Sequence, residues 1–357
     1  DNLKILFLIL NFLFLKMEKI VPIGSRTYKE ELKIAERAVL IATKICQEVR
    51  SNLKESETAT KDDASPVTIA DYASQAIICK ALYEAYPNDP VIAEEDSTNL
   101  IGNHKNIIMK RIQELVQKAS GENNSSISND EIIHWIDHGS SNSVPTSSVS
   151  RFWTLDPIDG TKGFLRGDQY AIALALIENG DVKLGILACP ALRLDNMSND
   201  GCIFTAIRGQ GTFVKSICSE NNDTRRVNVV QARESKEMRF VESVEAGHCN
   251  HTVQKKVAEA IGITNDPVRI DSQAKYGLVA AGGAALYLRI PSHLNKKEKI
   301  WDHAAGCIVV EEAGGVVTDM DGKLLDFCSG ESMNSNRGVI VSNGKIHEHV
   351  LHALEAA

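Results

Sequence analysis

Apolar residues recur at helical spacing from Tyr28 to Arg50, where Leu32, Ala35, Val39, Ala42, Cys46 and Val49 share one face. This predicts a long helix with one buried side. Asp62 to Thr68 is polar and carries Pro66, which predicts a loop and turn. A second helix is expected to open at Thr68 or Asp71 and to stop before Pro87. Pro90 to Ala93 reads as a short strand running into Glu94-Glu95-Asp96, and Ile107 to Lys118 as a helix. Ser120–Asp130 and Ser140–Ser150 read as exposed loops. Phe152–Leu155 predicts a strand that leads into a proline turn. Tyr170–Glu178 and Val182–Cys189, joined by Asn179-Gly180-Asp181, predict a hairpin. Gly201–Val214 repeats that pattern around Gly209 and Gly211, and polar Cys218–Arg226 marks a subdomain boundary. Beyond it, strands are expected at Arg239–Val244, Val268–Ile270, Val316–Thr318 and Val339–Ser342. Helices are expected at Thr252–Ile261, Gly277–Ala281 and Asp302–Ala313. The mixture predicts a layered α+β fold in two subdomains, residues 17–226 and 227–357.

Composition narrows the function more than the fold. The chain has 357 residues and a formal net charge of −8, which disfavours a non-specific grip on nucleic acid. Its eight cysteines form no C-x-x-C pair, so a structural zinc site is not expected and free thiols are. Cys189 and Cys202 are read as buried and inert rather than redox-active. Leu3–Leu15 is apolar but too short to span a bilayer, so no membrane association is expected. Residues 1–16 read as a non-native upstream extension ahead of a natural start at Met17. That makes the protein cytoplasmic, with an organelle leader as the alternative.

Five acids stand out by position: Asp71 at a helix start, Glu94 at a strand end, Asp156 and Asp159 around Pro157, and Asp302 at a later helix start. Any one of them alone reads as a surface charge or a helix-capping acid. Converging on one point, they would repel unless cations neutralised them, and hard oxygen ligands suit magnesium or manganese. In Asp156-Pro157-Ile158-Asp159-Gly160-Thr161, Pro157 stiffens the turn so that both carboxylates and the Ile158 carbonyl can face one space. Gly160 admits a close backbone approach to a phosphate, and the Thr161 hydroxyl can bond a water.

These residues lie in four segments: Ser65–Asp71 (S-P-V-T-I-A-D), Ala93–Asp96 (A-E-E-D), Trp153–Phe164 (W-T-L-D-P-I-D-G-T-K-G-F) and Trp301–Gly306 (W-D-H-A-A-G). Together they resemble the lithium-sensitive, magnesium-dependent phosphatases of the inositol monophosphatase superfamily. Asp159–Ala171, Asp271–Tyr276 (D-S-Q-A-K-Y), Tyr287–Arg289 and Lys299–Gly306 resemble its bisphosphate nucleotidase branch, in the plant and fungal form. The resemblance runs from about Tyr28 to the C-terminus. It implies an α/β/α/β/α sandwich of the inositol monophosphatase and fructose-1,6-bisphosphatase type, with most metal ligands in the first subdomain and nucleotide contacts in the second. It implies Glu94, Asp156, Ile158, Asp159 and Asp302 as ligands for two or three Mg2+ ions, and Asp71 and Thr161 as the groups that activate water. Thr161, His248, Ser272, Lys275, Arg289 and Asp302 would contact the nucleotide. The implied reaction removes the 3′-phosphate of adenosine 3′,5′-bisphosphate in a monomer, with 3′-phosphoadenylyl sulfate and inositol 1,4-bisphosphate as further substrates. An inositol phosphatase and a catalytically silent nucleotide sensor are the rival readings. Cys249 departs from the serine usual after the motif's histidine, and the loop at Ser140–Ser150 departs in length.

Overall fold

The computed structural model describes residues 27–52, 58–61, 66–100, 106–121, 126–140, 150–195, 197, 201–219, 223–232, 234–244, 251–291 and 297–355. The segment before Thr27, the loop at 141–149 and the pair His248-Cys249 lie outside them. Helix α1 (Lys29–Ser51) buries Ala35, Val39, Ala42, Cys46 and Val49, the face expected from its periodicity. The polar loop contains a small hairpin, β1 (Thr58–Thr60) with β2 (Pro66–Thr68), which delivers the chain to α2 (Ile69–Ala85). Every residue of α2 from Ile69 to Cys79 is buried, because α1, α3 (Asn106–Ser120), α4 (Asn129–His138) and the first sheet all pack on it.

That sheet has seven strands in the order β3 (Val91–Ala93), β4 (Arg151–Asp159), β5 (Ala171–Glu178), β6 (Asp181–Cys189), β7 (Cys202–Ile207), β8 (Gly211–Ser216) and β9 (Arg225–Val227). Only β3–β4 is parallel; the remaining pairs form an antiparallel meander. The second sheet has the order β11 (Val268–Arg269), β10 (Phe240–Glu242), β12 (Leu286–Arg289), β14 (Val339–Ser342) and β13 (Val316–Thr318). Helices α7 (Ala274–Ala280) and α8 (Ala304–Glu312) lie between the sheets, with α8 on β5, β6, β7 and β13 and α7 on β12. Helices α6 (His251–Ala260) and α9 (His347–Glu355) pack together outside the second sheet, over a separate apolar cluster. The layers therefore run helix, sheet, helix, sheet, helix, as expected of the sandwich. Among the described residues no helix is long and apolar enough to cross a membrane.

Close approach of α8 to the first sheet depends on one glycine, and its approach to α7 on another. A Cβ on Gly185 of β6 would sit 2.3 Å from Ile308 Cγ2, and one on Gly306 would sit 2.4 Å from the Tyr276 ring. Overpacking of this kind has no slack to absorb it in a close-packed interior.

The structure departs from the sequence expectations at several places. Helix α4 begins at Asn129, inside the expected loop, where Ser128 and Glu131 exchange hydrogen bonds in a capping box. Strand β9 pairs with β8, so the first sheet continues past the polar stretch at Cys218 to Val227. Strand β12 and helix α9 were not expected. Strand β4 also runs on through Asp159, with a bulge between Asp156 and Asp159 in place of a terminal turn. Pro157 has no N–H to offer the ladder, and a bulge accommodates it without ending the strand. Cys189 and Cys202 are directly opposed on β6 and β7, both buried, and burial pushes both thiols up, Cys202 to about 12.

Candidate active site

The bulge determines how the acids meet. Ile158 N–H turns back to Asp156 Oδ1 at 3.1 Å, and the Pro157 carbonyl accepts from Ser74 of α2 at 3.1 Å. Gly160 then takes φ +86°, and α5 (Thr161–Arg166) starts from it. The left-handed turn and a contact 3.0 Å from Ser272 Cβ both require glycine there. Thr161 Oγ1 lies 3.2 Å from the Ile158 carbonyl and 3.4 Å from Asp71 Oδ1.

Asp71 is indeed a capping acid, and more than that. Its Oδ2 accepts from the Thr68 N–H at 2.8 Å and from Thr68 Oγ1 at 2.7 Å, while Oδ1 faces Thr161. One oxygen of Asp71 therefore caps α2 and the other faces Thr161. Glu94 follows β3 directly, its N–H bonded to the Leu155 carbonyl at 3.2 Å. Lys61, on the β1–β2 hairpin, reaches Glu94 at 2.9 Å and Glu95 at 2.5 Å.

From the second half, Asp302 arrives in a 3₁₀ turn (Ile300–Asp302) rather than on α8 itself. Carboxylate oxygens of Asp156, Asp159 and Asp302 approach within 4.8 Å of one another. Burial raises Asp156 and Asp302 well above the usual carboxylate range, and the neighbouring acids push the same way. Asp159 is raised by burial against the pull of Lys275 and the Gln273 N–H. Burial lifts Asp71 to about 7, with Glu94 adding to the rise and Thr68 opposing it. A cluster that resists its own ionisation in this way is a site for cations, and these residues could hold a metal ion through hard oxygen ligands.

Ser272, Lys275 and Arg289 complete the surround. Ser272 adopts φ 66° against Gly160. Lys275 is buried, its ammonium 5.2 Å from the Tyr287 ring centroid. Arg289 ends β12, with its guanidinium on Glu298. The structure thus brings together every sequence-predicted site residue except His248, which lies outside the described residues.

Sequence reading assigned no role to Gln273 or Gln75. The Gln273 N–H donates to Asp159 at 2.6 Å, its side-chain amide donates to the Trp301 carbonyl at 2.8 Å, and its amide oxygen accepts from Gly306 N–H at 3.1 Å. One buried residue therefore ties the Asp159 bulge to the turn that carries Asp302. Gln75 does the same for the acid pair after β3, bonding Glu95 backbone atoms and the Ile136 carbonyl. A buried, non-ionisable Gln within a motif was the only signal available. Gln273→Ala is expected to lower stability by about 1–3 kcal/mol, because it orphans two buried backbone groups. Turnover should fall about 10- to 100-fold, as for lost supports of metal ligands. Chemical denaturation and steady-state kinetics check both, and unchanged kinetics would remove the tie from the site.

A family model described as the inositol monophosphatase family matches residues 27–357. The 3′(2′),5′-bisphosphate nucleotidase of Schizosaccharomyces pombe is 42% identical over 342 residues, covering 92% of this chain and 96% of that protein. The 3′(2′),5′-bisphosphate nucleotidase 1 of Arabidopsis thaliana is 43% identical over 343 residues, with the same coverage of 92% and 96%. The solved inositol monophosphatase of Anabaena superposes with a TM-score of 0.60 at 20% identity, over 93% of this chain and 98% of that one. A match over the whole described chain joins the acid-lined bulge and the five-layer sandwich to one lineage: the chain belongs to the inositol monophosphatase family.

Proposed function

We propose that the protein hydrolyses the 3′-phosphate of adenosine 3′,5′-bisphosphate, giving AMP and phosphate. In this reading Glu94, Asp156, Asp159, Asp302 and the Ile158 carbonyl hold two or three Mg2+ ions. When bound, the ions neutralise the carboxylates and stabilise charge on the transferring phosphoryl group. Asp71 and Thr161 would orient the attacking water, and Asp71 would accept its proton through Oδ1, the oxygen not used for capping. Lys275 and Arg289 hold the phosphate that stays on the nucleoside, and Ser272 and His248 contact the nucleotide.

The observation that carries the reading is the pair of cationic side chains, buried Lys275 and partly buried Arg289, beside an anionic cluster that already has its own use for cations. A second fixed anion on the substrate would be attracted to those cations, and a substrate with a single phosphate lacks that interaction. The relatives named bisphosphate nucleotidases support the same assignment. The proposal extends to 3′-phosphoadenylyl sulfate and inositol 1,4-bisphosphate, which pair a scissile phosphate with a second anionic group.

Phosphate release from adenosine 3′,5′-bisphosphate, with and without Mg2+ and beside inositol 1-phosphate, tests the reading. Mg2+-dependent release with at least a tenfold preference for the nucleotide is expected, the two cations supplying about 1.4 kcal/mol or more of discrimination. A preference for inositol 1-phosphate overturns the substrate. Nucleotide binding without release overturns the enzyme.

A further inference from the structure

Arg289 ends the strand β12, and its guanidinium is held by one acidic partner. Its Nε donates to Glu298 Oε2 at 3.2 Å, and its Nη2 lies 3.1 Å from the same oxygen in an ion pair. Glu298 is 4% exposed, and Arg289 holds its carboxyl well below the usual range in spite of burial. The same oxygen lies 3.5 Å from His303 Nε2, and His303 Nδ1 lies 2.7 Å from the Tyr276 hydroxyl. With Nε2 protonated, Tyr276 donates to Nδ1 and His303 donates to Glu298, which places a donor opposite an acceptor at each step. Tyr276 is itself locked between the Tyr287 ring and Gly306.

We infer that Glu298 is a positioning residue, set by the Tyr276–His303 pair, that presents the remaining edge of the Arg289 guanidinium to the uncleaved phosphate. The inference rests on the functional reading above. The Nε and Nη2 edge of the guanidinium faces Glu298, through one hydrogen bond and one ion-pair contact. The Nη1 group has no hydrogen-bond partner among the described residues and is left for a ligand. Fixing a flexible arginine before the ligand arrives removes its ordering cost from binding. Asp302, four residues after Glu298, also feels the positive charge of Arg289. Oxygens of Glu298 and Asp302 and a nitrogen of His303 approach within 4.8 Å, and the guanidinium supplies the cation that such a group calls for.

Glu298→Gln keeps the shape and removes the charge. Its KM for adenosine 3′,5′-bisphosphate is expected to rise about tenfold, with kcat within about twofold, the pattern of lost ground-state binding. Its KM for 3′-AMP, which lacks the second phosphate, should stay within about twofold. In an Arg289→Gln background the same substitution should add no further change, because Glu298 acts only through Arg289. That double variant also replaces the buried pair together, so it remains a test if Glu298→Gln alone does not fold. Equal losses on both substrates, or additive effects in the double variant, would overturn the inference. Failure of the functional reading shows separately, as a wild-type enzyme without preference for adenosine 3′,5′-bisphosphate over 3′-AMP.

Discussion

Asp159→Asn is expected to lower turnover at least about a thousandfold while the protein stays folded, since a lost metal ligand removes several kcal/mol of transition-state stabilisation. Asparagine is the informative replacement. Asp159 Oδ2 accepts the Gln273 N–H at 2.6 Å, and an amide oxygen retains that bond where alanine would orphan the donor. What asparagine removes is the charge. Asp159 stands within reach of the Asp156 and Asp302 oxygens, and it raises the pKa of both. Neutralising it in the metal-free protein therefore relieves repulsion on both neighbours, a gain on the order of 1 kcal/mol. The variant should thus be at least as stable as wild type in chelator and should gain less stability from Mg2+, because a ligand stabilises the folded state according to its affinity. Phosphate release and thermal unfolding, each with and without Mg2+, check the two halves. Near-native turnover, or a Mg2+-induced stabilisation as large as in wild type, would contradict the metal assignment.

Why the acids were legible, and the residues that hold them were not, follows from the range of the interactions. The Asp156–Thr161 stretch is local: a proline, a glycine at φ +86° and two carboxylates close in sequence build a bulge whose geometry is written in adjacent residues. Helix α1 was legible for the same reason, since one face meets the sheet and the other meets solvent. Helix α2 has no such contrast, because it is buried on all sides, and its ends were found from Thr68 and Pro87 instead. Gln75, Gln273 and Glu298 could not be read this way. Each acts on groups 5 to 114 residues distant, and a Gln or Glu looks the same in sequence whether it organises a site or faces water. Strand β12 was missed because four residues behind a Gly-Gly pair carry too little pattern. It is nonetheless the strand that delivers Arg289. Lys61 was missed because its partners lie 33 and 34 residues away across the hairpin.

The metal-free protein should be less stable at pH 8 than at pH 5.5, by on the order of several kcal/mol. Asp71 moves from its ordinary value of 3.8 to about 7 in the folded state, and burial also raises Glu95, Asp156, Asp159 and Asp302. A carboxyl with a raised folded pKa holds its proton where the unfolded chain has already lost it. Between about pH 4 and 7 the folded state therefore binds more protons than the unfolded one, and stability falls as pH rises through that window. On the acid side the sign reverses. Glu298 is held low by Arg289, so its contribution is complete above its unfolded pKa and is lost on acidification below about pH 4. The two trends place the stability maximum of the metal-free protein on the acid side of neutrality. Mg2+ changes the slope, because it binds the ionised carboxylates and competes with their protons. In Mg2+ the loss between pH 5.5 and 8 should shrink or invert. Denaturant unfolding at the two pH values, in chelator and in Mg2+, reads all four states. A chelated protein as stable at pH 8 as at pH 5.5 would mean that the acids ionise without strain on the fold, and the argument that this cluster needs cations would fail.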